Sequence, residues 1–220
     1  MIETFFNADI AIAAWPILWR GLMMTVALSL LVVPLGFACG LGLALLSTVP
    51  SRTLRWALVA WVDLFRAFPP LVLLVFLYAG LPFAGIELGA VGCVAIGFFL
   101  NTGAYYAEVI RAGLDSVPPG LSEAARSTGL GPVQTLRFVV LPPALRNVLP
   151  DLVSNTLEVV KLTSIASVVA LPELLFQARQ AQSVTYNPTP ILVAAALYFL
   201  LLWPGVRLLS RLENRAIAGR

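Results

Sequence analysis

Five long apolar stretches recur along this chain, and each has enough residues to cross a bilayer. A membrane-spanning helix needs about 20 mostly apolar residues, and the alternating apolar and polar pattern of barrel strands is absent. The pattern therefore predicts an all-α integral membrane protein, with one transmembrane domain over residues 1–220 and about five spans. The predicted spans are about residues 21–46, 56–79, 88–110, 152–171 and 191–209.

A long polar segment, about residues 112–150, separates the third and fourth spans. The sequence Pro-Pro-Gly at 118–120 predicts a turn, and Ser122 is placed to cap a short helix with Glu123 in its first turn. Gly129 suits the left-handed position that ends such a helix. A second helix is predicted to start at residues 131–132 and to break at the Leu-Pro-Pro sequence of residues 141–143.

The short helix of this segment carries small residues, Ala124, Ala125 and Gly129, beside one acid, Glu123. Small side chains let a helix backbone enter a cleft on another protein, so docking to a partner is one interpretation. The alternative is an amphipathic helix on the lipid surface, which would need a bulky apolar stripe with Lys or Arg opposite. Residues 121–131 are mostly Ala, Ser, Thr and Gly, and this favours docking.

Arginines concentrate on one side of the predicted topology. By the positive-inside rule, the polar segment and the C-terminus are cytoplasmic and the N-terminus is outside, which agrees with an odd number of spans. We expect the N-terminal region to remain as part of the first span, because its apolar run exceeds a signal-peptide core. The arginines on the predicted cytoplasmic side are Arg52, Arg55, Arg111, Arg126, Arg137, Arg146, Arg207, Arg211, Arg215 and Arg220, whereas Arg20 and Arg179 fall elsewhere.

The composition excludes several classes of function. Hydrophobic residues make up 60% of the chain and charged residues 11%, and the 14 Lys and Arg residues are dispersed, which argues against nucleic-acid binding. The chain has no His, and both cysteines lie in apolar runs, so neither a zinc enzyme nor a Ser-His protease is expected. A P-loop motif is absent, so an ATPase that drove this protein would be a separate chain.

Three acid and base pairs at i, i+3 spacing lie in or beside the spans: Asp63 with Arg66, Glu108 with Arg111, and Glu158 with Lys161. Such partners share a helix face, and charged groups in a membrane usually face protein or a water-filled path. An alternative for the second pair is that it anchors the polar segment. The candidate substrate pathway comprises Asp63, Arg66, Asn101, Tyr105, Glu108, Asn155, Glu158, Lys161, Thr163 and Ser164, although single polar residues also join helices to one another.

The polar segment also carries a family resemblance. Glu-Ala-Ala at residues 123–125, Gly129, and Leu-Pro at residues 141–142 resemble the EAA loop of ABC importer permeases, which couples them to cytoplasmic ATPase subunits. The resemblance implies that the ATPase-coupling residues are Gly120, Glu123, Ala124, Ala125, Gly129, Leu141 and Pro142.

The resemblance covers about 190 of the 220 residues. It extends to residues 21–29, 63–66, 69–71, 105–111, 116–118, Asn155 and residues 161–164, and together these motifs are similar to the polar amino acid branch of the family. The chain departs from the family pattern at Ala67, Phe68, Leu121, Pro143 and Leu162. These departures bear on the substrate more than on the class of protein.

The resemblance implies a multi-pass permease subunit in the bacterial cytoplasmic (inner) membrane that moves a polar or charged amino acid by alternating access. The implied partners are two ABC ATPase subunits, which carry ATP and Mg²⁺, a second permease subunit and an extracytoplasmic solute-binding protein. No cofactor is expected on this chain. The expected hinges are Gly129, Pro132 and the break at residues 141–142. The alternatives are a secondary transporter or channel without an ATPase, and a membrane enzyme or assembly protein.

Overall fold

The computed structural model describes residues 5–218, with side chains through residue 214, and this part of the chain is helical without strands. Arg220 and the side chain of Arg215 lie outside the described part. The helices are α1 (Ala8–Leu46), α2 (Arg52–Ala67), α3 (Pro70–Val75), α4 (Ala90–Asp115), α5 (Pro119–Ser127), α6 (Pro132–Gln134), α7 (Leu141–Asn147), α8 (Leu149–Leu162), α9 (Leu174–Thr185) and α10 (Thr189–Ala218).

Four helical segments are long and apolar enough to cross a membrane: Ala8–Leu46, Ala90–Asp115, Leu149–Val169 and Thr189–Asn214. A bent pair, Arg52–Ala67 with Pro70–Ala84, is the fifth candidate. The predicted all-α membrane fold with about five spans is therefore confirmed, but several predicted boundaries are not.

The first span begins earlier than the predicted residue 21. The side chain of Asn7 caps α1 by accepting hydrogen bonds from the backbone N–H groups of Asp9, at 2.9 Å, and Ile10, at 3.2 Å. This cap satisfies two of the free N–H groups at the helix start, so the helix extends upstream of Arg20. Pro34 lies inside the same helix.

The second span is not the single helix predicted over residues 56–79, because α2 and α3 meet at an angle of 94°. Pro69 and Pro70 have no N–H group to continue the ladder, and Phe68 has the extended backbone that a following proline favours. After α3 the chain forms a π-helical turn, Phe76–Gly80, and a 3₁₀ turn, Leu81–Ala84.

Side chains of α4 replace the hydrogen bonds that this bend removes. In a helix the donors to the carbonyls of Phe65 and Arg66 would be residues 69 and 70, which are both prolines. Asn101 Nδ2 donates to the Phe65 carbonyl at 2.8 Å, and the Tyr105 hydroxyl donates to the Arg66 carbonyl at 3.4 Å. The bend is therefore held by the third span.

The core of the bundle lies between α1 and α4. Gly36 faces Thr102 and Gly40 faces Tyr106 so closely that a methyl group at either glycine would overlap the neighbour. The Gly-x-x-x-Gly spacing thus allows two helix backbones to approach, as small residues do between membrane helices. Buried side chains such as Leu28 fill the remaining space.

The first helix of the polar segment, α5, begins at Pro119, so residues 118–120 start the helix instead of forming a separate turn. Ser122 is not its N-cap: the Ser122 hydroxyl donates to the Pro119 carbonyl at 2.8 Å, and Glu123 falls in the second turn. The reason is that proline is favoured in the first helical turn, where its missing N–H has no partner to lose.

The predicted end of this helix is confirmed. Gly129 has a φ of +91°, which is the left-handed conformation that glycine adopts without steric penalty. The Gly129 N–H donates to the Arg126 carbonyl at 3.0 Å, and the Leu130 N–H donates to the Ala125 carbonyl at 3.3 Å. This pair of bonds is a Schellman motif, and it closes the helix with a fixed geometry.

The second helix of the segment starts at Pro132, as predicted, but it does not break at residues 141–143. A π-helical stretch, Thr135–Val140, joins α6 to α7, and Pro142 lies in the first turn of α7. The π-helical stretch ends before the prolines, so the prolines lie in the first turn of α7, where a helix does not need N–H donors. The helical path therefore continues to Asn147, and the hinge predicted at Leu141-Pro142 is helical.

The last two spans are separated by a helix that the apolar pattern did not predict. The fourth span consists of α8, which begins three residues before the predicted residue 152, and a 3₁₀ stretch, Thr163–Val169. The polar helix α9 follows and packs against α1. The fifth span, α10, extends beyond the predicted residue 209.

Candidate functional site

A cavity of about 660 Å³ lies between α4 and α8. Both helices turn a polar stripe toward it, because positions three and four apart in a helix share a face. Five of the ten predicted pathway residues line this cavity: Asn101, Tyr105, Glu108, Asn155 and Glu158. Thr102 also lines it, as do Asp151 and Ser154, two residues that were not selected from the sequence.

Asp151 and Ser154 could have been found from their spacing. With Asn155 and Glu158 they occupy positions i, i+3, i+4 and i+7 of α8. Asp151 fell between the predicted polar segment, which ended at residue 150, and the predicted span, which began at residue 152. A helix start at Leu149 would have brought the whole stripe into one helix.

Two buried amide atoms of this site lack a protein partner. Asn101 is 1% exposed, and its Oδ1 accepts no hydrogen bond, although its Nδ2 donates to the Phe65 carbonyl. Asn155 Nδ2 is also buried and forms no hydrogen bond of good geometry, although the Tyr106 hydroxyl lies near it. Leaving a buried polar group unpaired costs about 1–3 kcal/mol, so such atoms are suited to bind a ligand or water. Two residues that line the cavity therefore carry a buried acceptor and a buried donor without a protein hydrogen bond.

An ionic cluster surrounds Glu108, which lines the cavity. Arg111 donates to both oxygens of Glu108, at 2.6 and 3.1 Å, and to Asp115 at 2.9 Å. Arg66 Nη1 lies 3.8 Å from Glu108 Oε1, and its guanidinium carbon lies 5.6 Å from the centre of the Tyr105 ring. The predicted pair of Glu108 with Arg111 is therefore present.

The predicted pair of Asp63 with Arg66 is wrong. Arg66 faces Glu108, and within the described residues Asp63 has no ion-pair partner within 4 Å. Asp63 instead lines a second cavity of about 500 Å³, together with Arg55, Arg111 and Glu108. The i, i+3 spacing placed the two residues correctly on α2, but Arg66 at the helix end turns toward α4.

The third predicted pair, Glu158 with Lys161, is present on α8. Lys161 does not line the larger cavity, and neither do Thr163 and Ser164. The Thr163 hydroxyl donates to the Val160 carbonyl at 2.7 Å, and the Ser164 hydroxyl donates to the Lys161 carbonyl at 2.8 Å. These hydroxyls close the end of α8, which explains their polarity without a ligand.

The predicted coupling residues are mostly on the surface of the polar segment. Gly120, Glu123, Ala124 and Gly129 are exposed, but Ala125 is only 8% exposed. Ala125 turns toward the chain's own π-helical stretch, on which α5 packs. Of the last two coupling residues, Pro142 is exposed and Leu141 partly buried.

The polar segment contacts the end of α4 through a hydrogen bond and a close backbone approach. Asn147 Nδ2 donates to the Ser116 hydroxyl at 2.9 Å. Gly113 lies so close to the Ala144 carbonyl that an added Cβ would be only 2.6 Å from that oxygen. Because α7 leads directly into α8, the segment contacts both helices that line the larger cavity.

A second polar centre, which the sequence analysis missed, lies at the start of α9. Glu173 is fully buried and accepts hydrogen bonds at 2.8 Å from the backbone N–H groups of Leu175 and Phe176 and from the Tyr198 hydroxyl. The Leu174 N–H donates to the Thr25 hydroxyl at 3.1 Å. Burial raises the pKa of the Glu173 carboxyl above its ordinary value, and these donors oppose that change. The centre joins α1, α9 and α10.

The sequence and the fold match known transport proteins. The family described as binding-protein-dependent transport system inner membrane component matches residues 32–217. A probable amino-acid ABC transporter permease protein of Bacillus subtilis (strain 168), YckA, is 38% identical over 177 residues, or 80% of this chain and 78% of that protein. A probable glutamine ABC transporter permease protein of the same organism, GlnP, is 34% identical over 202 residues, 90% of this chain and 93% of that protein.

Solved structures agree with these relatives. The crystal structure of an amino acid ABC transporter with histidines superposes with a TM-score of 0.83 at 35% identity, and the match covers 93% of this chain and 96% of that chain. An inward-facing MetNI methionine ABC transporter has a TM-score of 0.74 at 24% identity, covering 89% and 96%, and supports the fold alone. The chain therefore belongs to the family of binding-protein-dependent transport system inner membrane components, and it is a permease subunit of an ABC transporter.

Proposed function

We propose that this permease moves a polar or charged amino acid through the cavity between α4 and α8. The observation that supports the proposal best is the pair of unpaired amide atoms in an acidic cavity. Relatives named as amino-acid and glutamine permeases point to the same class of solute.

Polar groups of the cavity lining can bind both charged groups of an amino acid, its α-ammonium and its α-carboxylate. Asn101 Oδ1 accepts a hydrogen bond from the α-ammonium group, and Asn155 Nδ2 donates to the α-carboxylate. Both are neutral groups, so they bind a charged solute without the strong hold of a permanent ion pair. This weak binding fits a pathway, which has to release what it binds.

The charges of the cavity favour neutral and cationic side chains over anionic ones. Three carboxylates line it, Glu108, Asp151 and Glu158, and no Lys or Arg does. Glu108 and Glu158 are neutralised by Arg111 and Lys161. Asp151 has no ion-pair partner within 4 Å among the described residues, so it remains as net negative charge.

The coupling segment gives this pathway its connection to an energy source. In the proposal, two ABC ATPase subunits in the cytoplasm bind ATP and Mg²⁺, and they bind residues 121–130 of the permease. A second permease subunit forms the other wall of the translocation pathway. An extracytoplasmic solute-binding protein delivers the amino acid, with the N-terminus outside and the C-terminus in the cytoplasm of the bacterial cell.

Alternating access then requires that the segment move the cavity walls. The Schellman end of α5 makes the coupling helix a rigid body, and the contacts of Ser116 and Gly113 with α7 join it to α4. ATP-driven movement of the segment is thus transmitted to both α4 and α8. A nucleotide favours one state only by its differential affinity for the two.

The test is uptake into liposomes that contain the permease, its ATPase subunits and its binding protein. We expect Asn155→Leu to lower amino-acid uptake at least about tenfold, because the amide group that donates a hydrogen bond to the substrate carboxylate is lost. Ser164→Ala, whose hydroxyl lies outside the cavity lining, is the matched control and should transport normally. Wild-type uptake by Asn155→Leu would contradict the proposed pathway. Uptake by the wild type without ATP would instead favour a secondary transporter or channel.

A further inference from the structure

One face of α10 carries a strip of exposed apolar side chains that ends in two arginines. Phe199 and Leu200 are 62% and 63% exposed, and Trp203 is 46% exposed. Arg207 and Arg211 follow Trp203 at intervals of four residues, so they continue the same face of the helix. The strip is therefore apolar over its first part and cationic at its end.

The cationic end forms a shallow cavity of about 540 Å³. Its lining includes Trp203, Arg207, Ser210, Arg211 and Asn214, and no carboxylate of residues 5–214 is part of it. The guanidinium carbon of Arg207 lies 5.2 Å from the centre of the Trp203 ring, which is a cation–π contact. Neither arginine forms an ion pair in the part of the chain that the structure describes.

This face points away from the rest of the bundle. Gly205, on the opposite side of α10, packs so tightly against Leu157 of α8 that a methyl group would overlap it. The glycine thus fixes which side of α10 meets the protein and which side is turned outward.

The cationic end also lies at a defined depth in the membrane, near the surface on the side of the coupling segment. The fourth span starts at the coupling segment and the fifth span returns toward the same side, so Arg207 and Arg211 stand at the coupling side of the bundle. Trp and Arg are both typical of the boundary between hydrocarbon and headgroups.

We propose that this face binds an anionic phospholipid. The phosphate lies between Arg207 and Arg211, and an acyl chain follows Trp203, Leu200 and Phe199 toward the middle of the bilayer. Guanidinium groups match the planar oxygens of a phosphate, and a basic pocket beside a span is a recognised form of lipid site. The apolar chain and anionic headgroup of a phospholipid match the apolar and cationic parts of the strip in the same order, which is why we favour it over a protein partner.

The experiment uses the transporter purified with its ATPase subunits. It is incubated with equal amounts of phosphatidylglycerol and phosphatidylcholine of matched acyl chains, and the retained lipids are counted by native mass spectrometry. The wild type should retain phosphatidylglycerol preferentially. Arg207→Gln with Arg211→Gln should reduce this preference roughly 30-fold, the combined effect of two cations near an anionic surface. Arg52→Gln with Arg146→Gln removes two other arginines of the same side and should leave the preference unchanged.

Two further measurements test the same lipid site if the double variant does not assemble. Trp203→Leu keeps an apolar side chain but removes the cation–π contact, and should lower the preference roughly threefold. The wild-type preference should also shrink as salt is raised. A preference that is unchanged in the Arg207 and Arg211 variant, or insensitive to salt, would overturn the proposal.

Other occupants give different results. If inorganic phosphate displaces the lipid at an ionic strength at which sodium chloride does not, the site recognises a free anion instead of a phospholipid. If Ser210→Cys forms a disulfide between two permease copies in the assembled transporter, the face is covered by a second subunit. Either result would refute lipid binding at this face.

Discussion

The side-chain amide of Asn101 lies 2.8 Å from the carbonyl oxygen of Phe65, in the place where Pro69 leaves that carbonyl without a backbone donor. The same residue lines the cavity between α4 and α8, and its Oδ1 is buried without a hydrogen-bond partner. One residue therefore holds the bend of the second span and lines the proposed pathway.

Replacing Asn101 should affect both properties. Asn101→Leu leaves the Phe65 carbonyl without its donor inside the protein, which should lower the free energy of unfolding by about 1–3 kcal/mol. Uptake should fall as well, because the acceptor for the ammonium group is lost. Tyr105→Phe removes only the longer bond, at 3.4 Å, and should cost less stability. Thermal unfolding in detergent and uptake in liposomes measure the two effects, and a fully stable Asn101→Leu protein would contradict the role in the bend.

The close approach of α1 and α4 predicts a contrast between two glycines of the same helix. A Cβ at Gly40 would overlap Tyr106 and lie 2.7 Å from the Ala107 nitrogen, whereas a Cβ at Gly42 would meet nothing within 4 Å. Gly40→Ala should therefore destabilise the protein by about 1–3 kcal/mol through overpacking. Gly42→Ala should be neutral or stabilising by roughly 0.5–1 kcal/mol, because alanine favours the helix. Thermal unfolding of the two variants in one detergent decides this, and equal midpoints would refute the packing argument.

The left-handed conformation of Gly129 predicts a coupling defect. Gly129→Leu forces a side chain into that conformation at a cost of roughly 1–2 kcal/mol, and it disturbs the end of α5. We expect the variant to insert and dimerise but to lose substrate-stimulated ATP hydrolysis. Gly129→Asn is the matched control, since asparagine tolerates the left-handed region, and it should retain most of the stimulation. Normal stimulation in Gly129→Leu would count against docking through α5.

Burial of Glu173 predicts a pH dependence of stability. Its folded-state pKa is raised, so between its ordinary value of about 4.3 and the raised value the folded state binds more protons than the unfolded state. The free energy of unfolding then falls as pH rises through this window, and the stabilisation is fully present only below it. Glu173→Gln cannot titrate and should give a flatter curve of unfolding midpoint against pH. Tyr198→Phe keeps the carboxyl group but removes a donor that opposes the rise in its pKa, so the fall in stability should persist and extend to higher pH. Parallel curves for wild type and Glu173→Gln would exclude this account.

The apolar pattern predicted the number and order of the spans because burial in lipid depends on composition over about 20 residues. It could not predict the bend of the second span, because Pro69 and Pro70 interrupt the hydrogen bonds without interrupting the apolar run. It also missed α9, whose mixture of Gln, Ala and Leu is too polar to indicate a span.

The site was predicted in part for a similar reason. Asn101, Asn155 and Glu158 stand out because polar residues are rare in spans, but their meeting in one cavity depends on how α4 packs against α8. Thr163 and Ser164 are equally polar, and only their bonds to the carbonyls of α8 separate them from the cavity residues. The sequence also cannot show that a π-helical stretch carries the helix through Pro142.

The joint between the coupling segment and the cavity is a single residue. Val148, with φ of −104° and ψ of 12°, is both the end of α7 and the cap of α8, and its side chain is buried. Glu158 lies ten residues farther along, roughly 15 Å from the joint at 1.5 Å per residue. A swing of about 10° at Val148 would displace Glu158 by roughly 2.6 Å at that radius, nearly a full hydrogen-bond length. In the proposed mechanism α8 is a lever arm, and its length sets how far a small rotation in the coupling segment would move the cavity wall.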